Sequence, residues 1–359
     1  MRHVLLLFCA LFLLSSCETE IEDFQTQNLS SAIVVYGEIS NVDGPYNVRL
    51  NYVIAYSPYD ATQITGQPIT EANVRIVDGN GKETAYYEKS KGYYLSPAGF
   101  KGEVGQKYKL RMKLLDGKTI ESAFQAITAS PTLAEFSYSF KDAAKVENMR
   151  FPLTASIKDP KATEDYYFVK RQDFRQFLLT CPPPPAPPAP VPPCNCLCWQ
   201  APLNTTPYLL DDFLLSGKNL SLDLGQLPYE DFTDWVVQLD VYSISKEAHT
   251  YWKRLEDQRK LSGGIFDKVP AQIIGNLKCT SDPSQEVLGF FMVGGLTQKR
   301  LQVDRFNGIP TEAYQKLLFY VDFNNIPTKT SHFGIAKTRH LSNITSDIPC
   351  LHYKYSMLA

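Results

Sequence analysis

The segment Ala72-Asn73-Val74-Arg75-Ile76-Val77 carries apolar side chains at alternate positions and then breaks into Asp78-Gly79-Asn80-Gly81. Period two belongs to a strand with one buried face, and Asp-Gly and Asn-Gly supply the positive φ of a tight reversal. The same pattern recurs at Asn47-Val48-Arg49-Leu50-Asn51-Tyr52-Val53 and at Lys107 to Leu114, which runs into Asp116-Gly117. With Ile33–Gly37, Gly92–Leu95 and Thr119–Ile127 added, residues 32–128 hold roughly seven short strands, the spacing of a sandwich. The expected fold class is mainly β: an N-terminal immunoglobulin-like or fibronectin-like β-sandwich over 32–128, then a second β-rich domain over 129–350 carrying one amphipathic helix.

Pro131 opens the second region, where Phe151 to Lys158 reads as a strand entering the turn Asp159-Pro160, and Asp165 to Lys170 starts the next strand. The run Pro182 to Pro193, bounded by Cys181 and Cys194, is extended polyproline II. An arm that docks in an aromatic groove is one reading; a surface insertion, which costs little in an exposed loop, is the simpler one. The helix is expected from Ser245 to about Leu261, with Tyr251, Trp252, Leu255 and Arg259 on one side, Lys253, Glu256, Asp257 and Lys260 on the other, and Gly263-Gly264 as its stop. Tyr251 and Trp252 at that spacing read as core in preference to a ligand platform. Ala271–Leu277, Leu288–Gly295 and Lys299–Val303 return to strand patterns, and 351–359 is a C-terminal tail.

At the N-terminus, Arg2 and His3 precede an apolar run from Val4 to Leu14, then Leu14-Ser15-Ser16-Cys17 and the acidic stretch Glu18 to Asp23. That order is a signal peptide over 1–16, and its apolar run is shorter than the roughly 18 residues of a spanning helix. A leucine three positions before a cysteine, with small residues between, is the pattern of lipoprotein processing, so Cys17 is expected to be acylated. Two or more acyl chains, at about 0.8 kcal/mol per buried methylene, hold a chain stably to a lipid bilayer. Residues 17–31 then form an acidic tether without apolar periodicity.

The charge balance is close to even, with a formal net charge of -2, and no Lys/Arg cluster interleaved with aromatics occurs, which excludes nucleic acid as a partner. Cys9 leaves with the signal and Cys17 is the lipid site. The other six cysteines, Cys181, Cys194, Cys196, Cys198, Cys279 and Cys350, are disulfide candidates in an exported chain. Among the fifteen pairings that six cysteines allow, bridges from Cys279 and Cys350 back to the Cys181–Cys198 cluster are favoured. The alternative is a soft metal on Cys194, Cys196 and Cys198, although zinc sites use wider spacers and no histidine lies near.

Chemistry-bearing motifs are sparse. There is no Gly-x-Ser-x-Gly, phosphate loop or dinucleotide fingerprint. His249, His332, His340 and His352 form no i, i+4 pair, and His332 and His340 of a late hairpin lack a third ligand. Asp211-Asp212 and Glu230-Asp231 could act as paired acid and base, but adjacent acids are more often a solvated turn. No catalytic residue, metal ligand or cofactor is assigned.

Cys17 with its acidic tail, Ile33–Gly37, Ile69–Val74 and Gly92-Tyr93-Tyr94 make up one set of landmarks. Cys198-Trp199, Tyr251–Leu255, Gly264–Asp267, Pro270-Ala271, Gly275-Asn276 and Leu288-Gly289-Phe290-Phe291 make up a later one. In their order and spacing they resemble the Bacteroidetes lipoproteins grouped as domain of unknown function 4249. The resemblance covers nearly the whole mature chain; the polyproline insert and the ending after Cys350 depart from it. It implies an outer-membrane lipoprotein, at the cell surface in preference to the periplasmic face, that serves a TonB-dependent receptor as a non-enzymatic accessory. Capture of a glycan or peptide by sandwich loops is the second expectation and a hydrolase the third.

Overall fold

The computed structural model describes residues 32–53, 66–160, 163–178, 197–200, 206–212, 217–229, 234–260, 272–306 and 308–324. In chain order the strands of the first half are β1 (Ile33–Ser40), β2 (Asn47–Tyr52), β3 (Gln67–Pro68), β4 (Asn73–Asp78), β5 (Glu83–Ala85), β6 (Tyr87–Ser90), β7 (Tyr93–Leu95), β8 (Lys107–Lys113), β9 (Thr119–Ser122) and β10 (Gln125–Ala126). They are followed by β11 (Thr132–Tyr138), β12 (Arg150–Lys158), β13 (Tyr166–Leu178), β14 (Leu197–Gln200), β15 (Tyr208–Asp211), β16 (Asn219–Pro228), β17 (Trp235–Ile244), helix α1 (Lys246–Lys260), β18 (Leu277–Cys279), β19 (Val287–Val303) and helix α2 (Thr311–Phe323).

The alternating segments form strands with the expected faces. In β4, Val74 and Ile76 are buried; in β8, Tyr108, Leu110 and Met112 are. The turn after β4 closes as its residues dictate: Asp78 Oδ1 accepts from the N–H groups of Asn80 and Lys82, both at 2.9 Å, and Gly81 takes φ +84°. The outward residues of β4, β5, β8 and β9 join in a chain of ion pairs, Arg75–Glu83–Arg111–Glu121–Lys109, at 2.6–2.9 Å. The outer pairs of this chain, at Glu83, add little stability each.

A ten-stranded sheet, β14-β13-β17-β19-β1-β2-β7-β6 with β15 and β3 off its path, runs through both halves of the chain. At one end it faces the six-stranded sheet β18-β9-β8-β4-β5, with β10 paired to β8 off its path, and the first core, including Ile33, Val35, Leu110 and Phe291, lies between them. At the other end it faces the three-stranded sheet β11-β12-β16, enclosing a second core with Phe151, Val237 and Leu239. β19 serves both. Val287, Phe291 and Val293 enter the first core and Val303 the second, all on the odd-numbered face, while Phe290, Met292 and Leu296 on the even face pack under α1.

Three expectations change here. The boundary at 128/129 does not separate two closed bodies, because β18 pairs with β9 and β19 pairs in parallel with β1, so residues from beyond 270 complete the first sandwich. Leu288–Gly295 and Lys299–Val303 are one strand, since the antiparallel register with β17 continues unbroken from Gly295 to Val303. There is a second amphipathic helix: α2 buries Ala313, Leu317 and Val321, four residues apart, in the second core.

The landmark motifs meet in pairs. The Tyr94 hydroxyl donates to the Ile69 carbonyl and accepts from the Ala72 N–H, both at 3.0 Å, joining Gly92-Tyr93-Tyr94 to Ile69–Val74. The Asn276 carboxamide exchanges two hydrogen bonds with the Phe291 backbone, at 2.8 and 2.9 Å, in the manner of a neighbouring strand. Gly275 lies so close that a Cβ there would overlap the Gly289 carbonyl oxygen.

Candidate functional site

α1 starts where its sequence says it should. Ser245 caps it, its hydroxyl accepting from the Ala248 N–H at 3.2 Å, with Glu247 in the first turn and Arg259 and Lys260 in the last. Tyr251 stacks on Phe290 with ring centroids 4.8 Å apart, and Trp252 lies against Phe168 at 4.9 Å, so this aromatic pair is core, as expected. Residues at i, i+3 and i+7 share another side of the helix. Lys246, His249 and Lys253 there face Glu164, Tyr166 and Asp211 across a cleft of about 420 Å³ between α1 and the ends of β13 and β15.

The cleft is polar and of mixed charge. Glu164 accepts from the Tyr166 hydroxyl and lies 3.0 Å from Lys246 Nζ. These two contacts hold its carboxyl below the usual carboxylate range, which keeps it ionised and unsuited to act as a general acid. His249 is buried beside the Tyr166 ring, with centroids 5.0 Å apart. Burial pushes its imidazole below the ordinary value, against the opposing pull of Asp211. The folded state therefore binds this proton less readily than the unfolded chain does. Stability should be complete above about pH 6.5 and fall as the pH drops through that value. His249→Phe, which keeps the ring packing, should flatten that acid-side loss in urea titrations between about pH 7 and 5.

Asp211 and Asp212 diverge. Asp211 is exposed at the cleft while Asp212 is only 2% exposed and turned to the turn before β13, its Oδ1 accepting from the Asp165 N–H at 3.1 Å. Both border the cleft, but Asp211 is exposed while Asp212 is buried and engaged by the turn. Glu230, Asp231, His332, His340 and His352 lie outside the described residues, as do Cys17, Cys181, Cys194, Cys196, Cys350 and the insert 182–193. Cys198 falls in β14, on the edge of the ten-stranded sheet.

Among the described residues Cys279 is a free, buried thiol, and the side chains of the cysteines expected to bridge it lie outside them. β18 places it opposite Ile120 in the first core, with Sγ 3.5 Å from Ser281 Oγ, while β14 joins β13 beside the second. Cys279 acts as a small apolar core residue, a role its sequence neighbourhood Leu277-Lys278-Cys279 already fits by alternation.

A second polar group lies on the even face of the ten-stranded sheet. Asp240 accepts from Gln298 at 2.8 Å, Gln238 accepts from Arg300 Nε at 2.8 Å, and Glu38 meets Lys170 at 2.5 Å and the Tyr242 hydroxyl at 3.2 Å. Burial raises the Asp240 carboxyl, and the hydrogen bond from Gln298 opposes the rise. These groups satisfy one another across β1, β13, β17 and β19, which makes the ladder a device of sheet register rather than a vacant binding surface.

No curated protein matches this chain. A family model described as Domain of unknown function (DUF4249) matches residues 18–300, from the residue after Cys17 into β19, and the chain belongs to that family.

Proposed function

We propose that the chain is an outer-membrane lipoprotein, anchored through acylated Cys17 and displayed at the cell surface, that works without catalysis as an accessory of a TonB-dependent receptor. The observation that carries this reading is the place of β1. Ile33 follows the acidic tether almost at once and opens a strand hydrogen-bonded on both sides, to β19 and to β2. A tether of residues 18–31 reaches at most about 50 Å when fully extended. A lipid on Cys17 would therefore hold the start of β1 within that distance of the bilayer, with the attachment entering the interior of the shared sheet, not a frayed edge.

Extraction of native membranes in mild detergent, followed by affinity purification of the chain, tests the role. A TonB-dependent barrel should co-purify in stoichiometric amount, and Cys17→Ser should shift the protein to the soluble fraction. A protein that remains solitary across detergents would contradict the accessory role, and membrane retention of the Cys17→Ser variant would contradict the anchor.

A second reading, capture of a glycan or peptide, draws on the cleft beside α1. Its volume lies within the range of small-ligand sites, and its alternating charges suit a polar ligand. A thermal-shift screen of glycans and peptides, with Lys253→Ala as the control, should show stabilisation that the variant loses.

A further inference from the structure

We propose that Asp159, Asp165 and Asp212 form a calcium site that clamps the turn between β12 and β13 to the end of β15. One carboxylate oxygen from each of the three lies within 4.8 Å of the others. An ion bonded to oxygen at about 2.4 Å spans that diameter. Three carboxylates so close repel one another unless a cation or a proton intervenes. Among the described residues, none of the three forms an ion pair with lysine or arginine.

A second observation marks the group as a receptor for a ligand. Asp212 is 2% exposed, and among the described residues its Oδ2 has no hydrogen-bond partner. A buried carboxylate oxygen left bare is costly, and a protein retains one where something outside the chain satisfies it. The other oxygens are held in place. Asp159 Oδ1 accepts from the Tyr167 hydroxyl at 3.0 Å and its Oδ2 from the Gly217 N–H at 2.9 Å. Asp165 Oδ2 accepts from the Thr163 hydroxyl at 2.5 Å, and Asp212 Oδ1 takes the Asp165 N–H. Each bonded carboxylate oxygen keeps a further lone pair for a cation.

The donor set selects the ion. All three ligands are hard carboxylates without nitrogen or sulfur, which disfavours zinc and copper. Magnesium demands near-ideal octahedral geometry and sheds its waters reluctantly, whereas calcium accepts irregular sets of six to eight oxygens. Asp165, half-buried, leaves one side for water ligands. The ion would lie beside the cleft, since Asp212 also borders it, and would fix the strand ends that form its wall. The site does not depend on where the chain is anchored.

The test uses the mature chain stripped with chelator and then titrated with calcium chloride alone, followed by calorimetry and thermal melting. One calcium should bind per chain, and at tenfold excess over Kd the melting temperature should rise by about 2–4 °C. Asp212→Asn keeps the acceptor for the Asp165 N–H, so it should fold while losing the calcium-dependent shift. Terbium provides a measurement on the unaltered chain. Tyr167, bonded to Asp159, should sensitise its emission, and calcium should quench that emission by displacement. No heat, shift or terbium emission at up to about 10 mM cation, above the range of weak extracellular calcium modules, would overturn the proposal and leave a shared proton as the occupant. An equal response to magnesium, or a shift retained in Asp212→Asn, would overturn it as well.

Discussion

Gly289→Ala is expected to lower the stability of the chain by about 2–6 kcal/mol, combining about 1–3 for a strained backbone with about 1–3 for overlap in a packed region. Gly289 sits at φ +97° inside β19, and a Cβ there would overlap the carbonyl oxygen of Val35, its partner in the parallel pairing with β1. Gly275 approaches from the other direction, so three backbones meet with no room for a side chain. Gly81→Ala is the control. Its φ is +84°, yet nothing lies within 4 Å of the added carbon, so it should cost only about 1 kcal/mol or a little more for the left-handed backbone. Urea unfolding of the two variants separates them. Equal losses would mean that β1 and β19 do not approach as closely as described.

What the sequence made legible follows from the range of the signals. Val74 and Ile76 alternate with polar neighbours because one sheet face is wet, and Asp78 to Gly81 must turn because the side chain of Asp78 captures its own backbone. Ser245 and the apolar positions of α1 are local too. α2 is equally local: Pro310 precedes it and Ala313, Leu317 and Val321 recur every fourth residue. The unity of β19 was not local. Thr297 and Gln298 look like an interruption, yet Thr297 bonds the Pro131 carbonyl and Gln298 bonds Asp240, so their polarity serves neighbours distant in the chain.

The candidate sites divide in the same way. Asp211-Asp212 stood out as adjacent acids, but only the fold leaves Asp211 exposed at the cleft and buries Asp212 at its wall beside Asp159 and Asp165. The one available hint was an aspartate at each end of the Asp159-Pro160 turn region, where two strands were already expected to meet. At Cys279 the alternation of Leu277-Lys278-Cys279 fits a buried strand position, which the structure shows.

The shared sheet is what distinguishes this architecture from two domains on a string, and cutting the chain at residue 128 tests it. In the fragment 32–128 the first core lacks Leu277, Cys279, Val287, Phe291 and Val293. At about 1.5–3 kcal/mol per large buried side chain, that loss is comparable with the roughly 5–15 kcal/mol that stabilises a whole domain. The cut also strips β19 from β1 and β18 from β9, leaving two open edges. Near-UV circular dichroism of the isolated fragment during heating is therefore the most direct measurement. A sandwich completed by β18 and β19 requires weak near-UV signal and no cooperative melt, with both restored in the chain 32–324; a cooperative melt of the fragment, at the temperature seen for the longer chain, would contradict it.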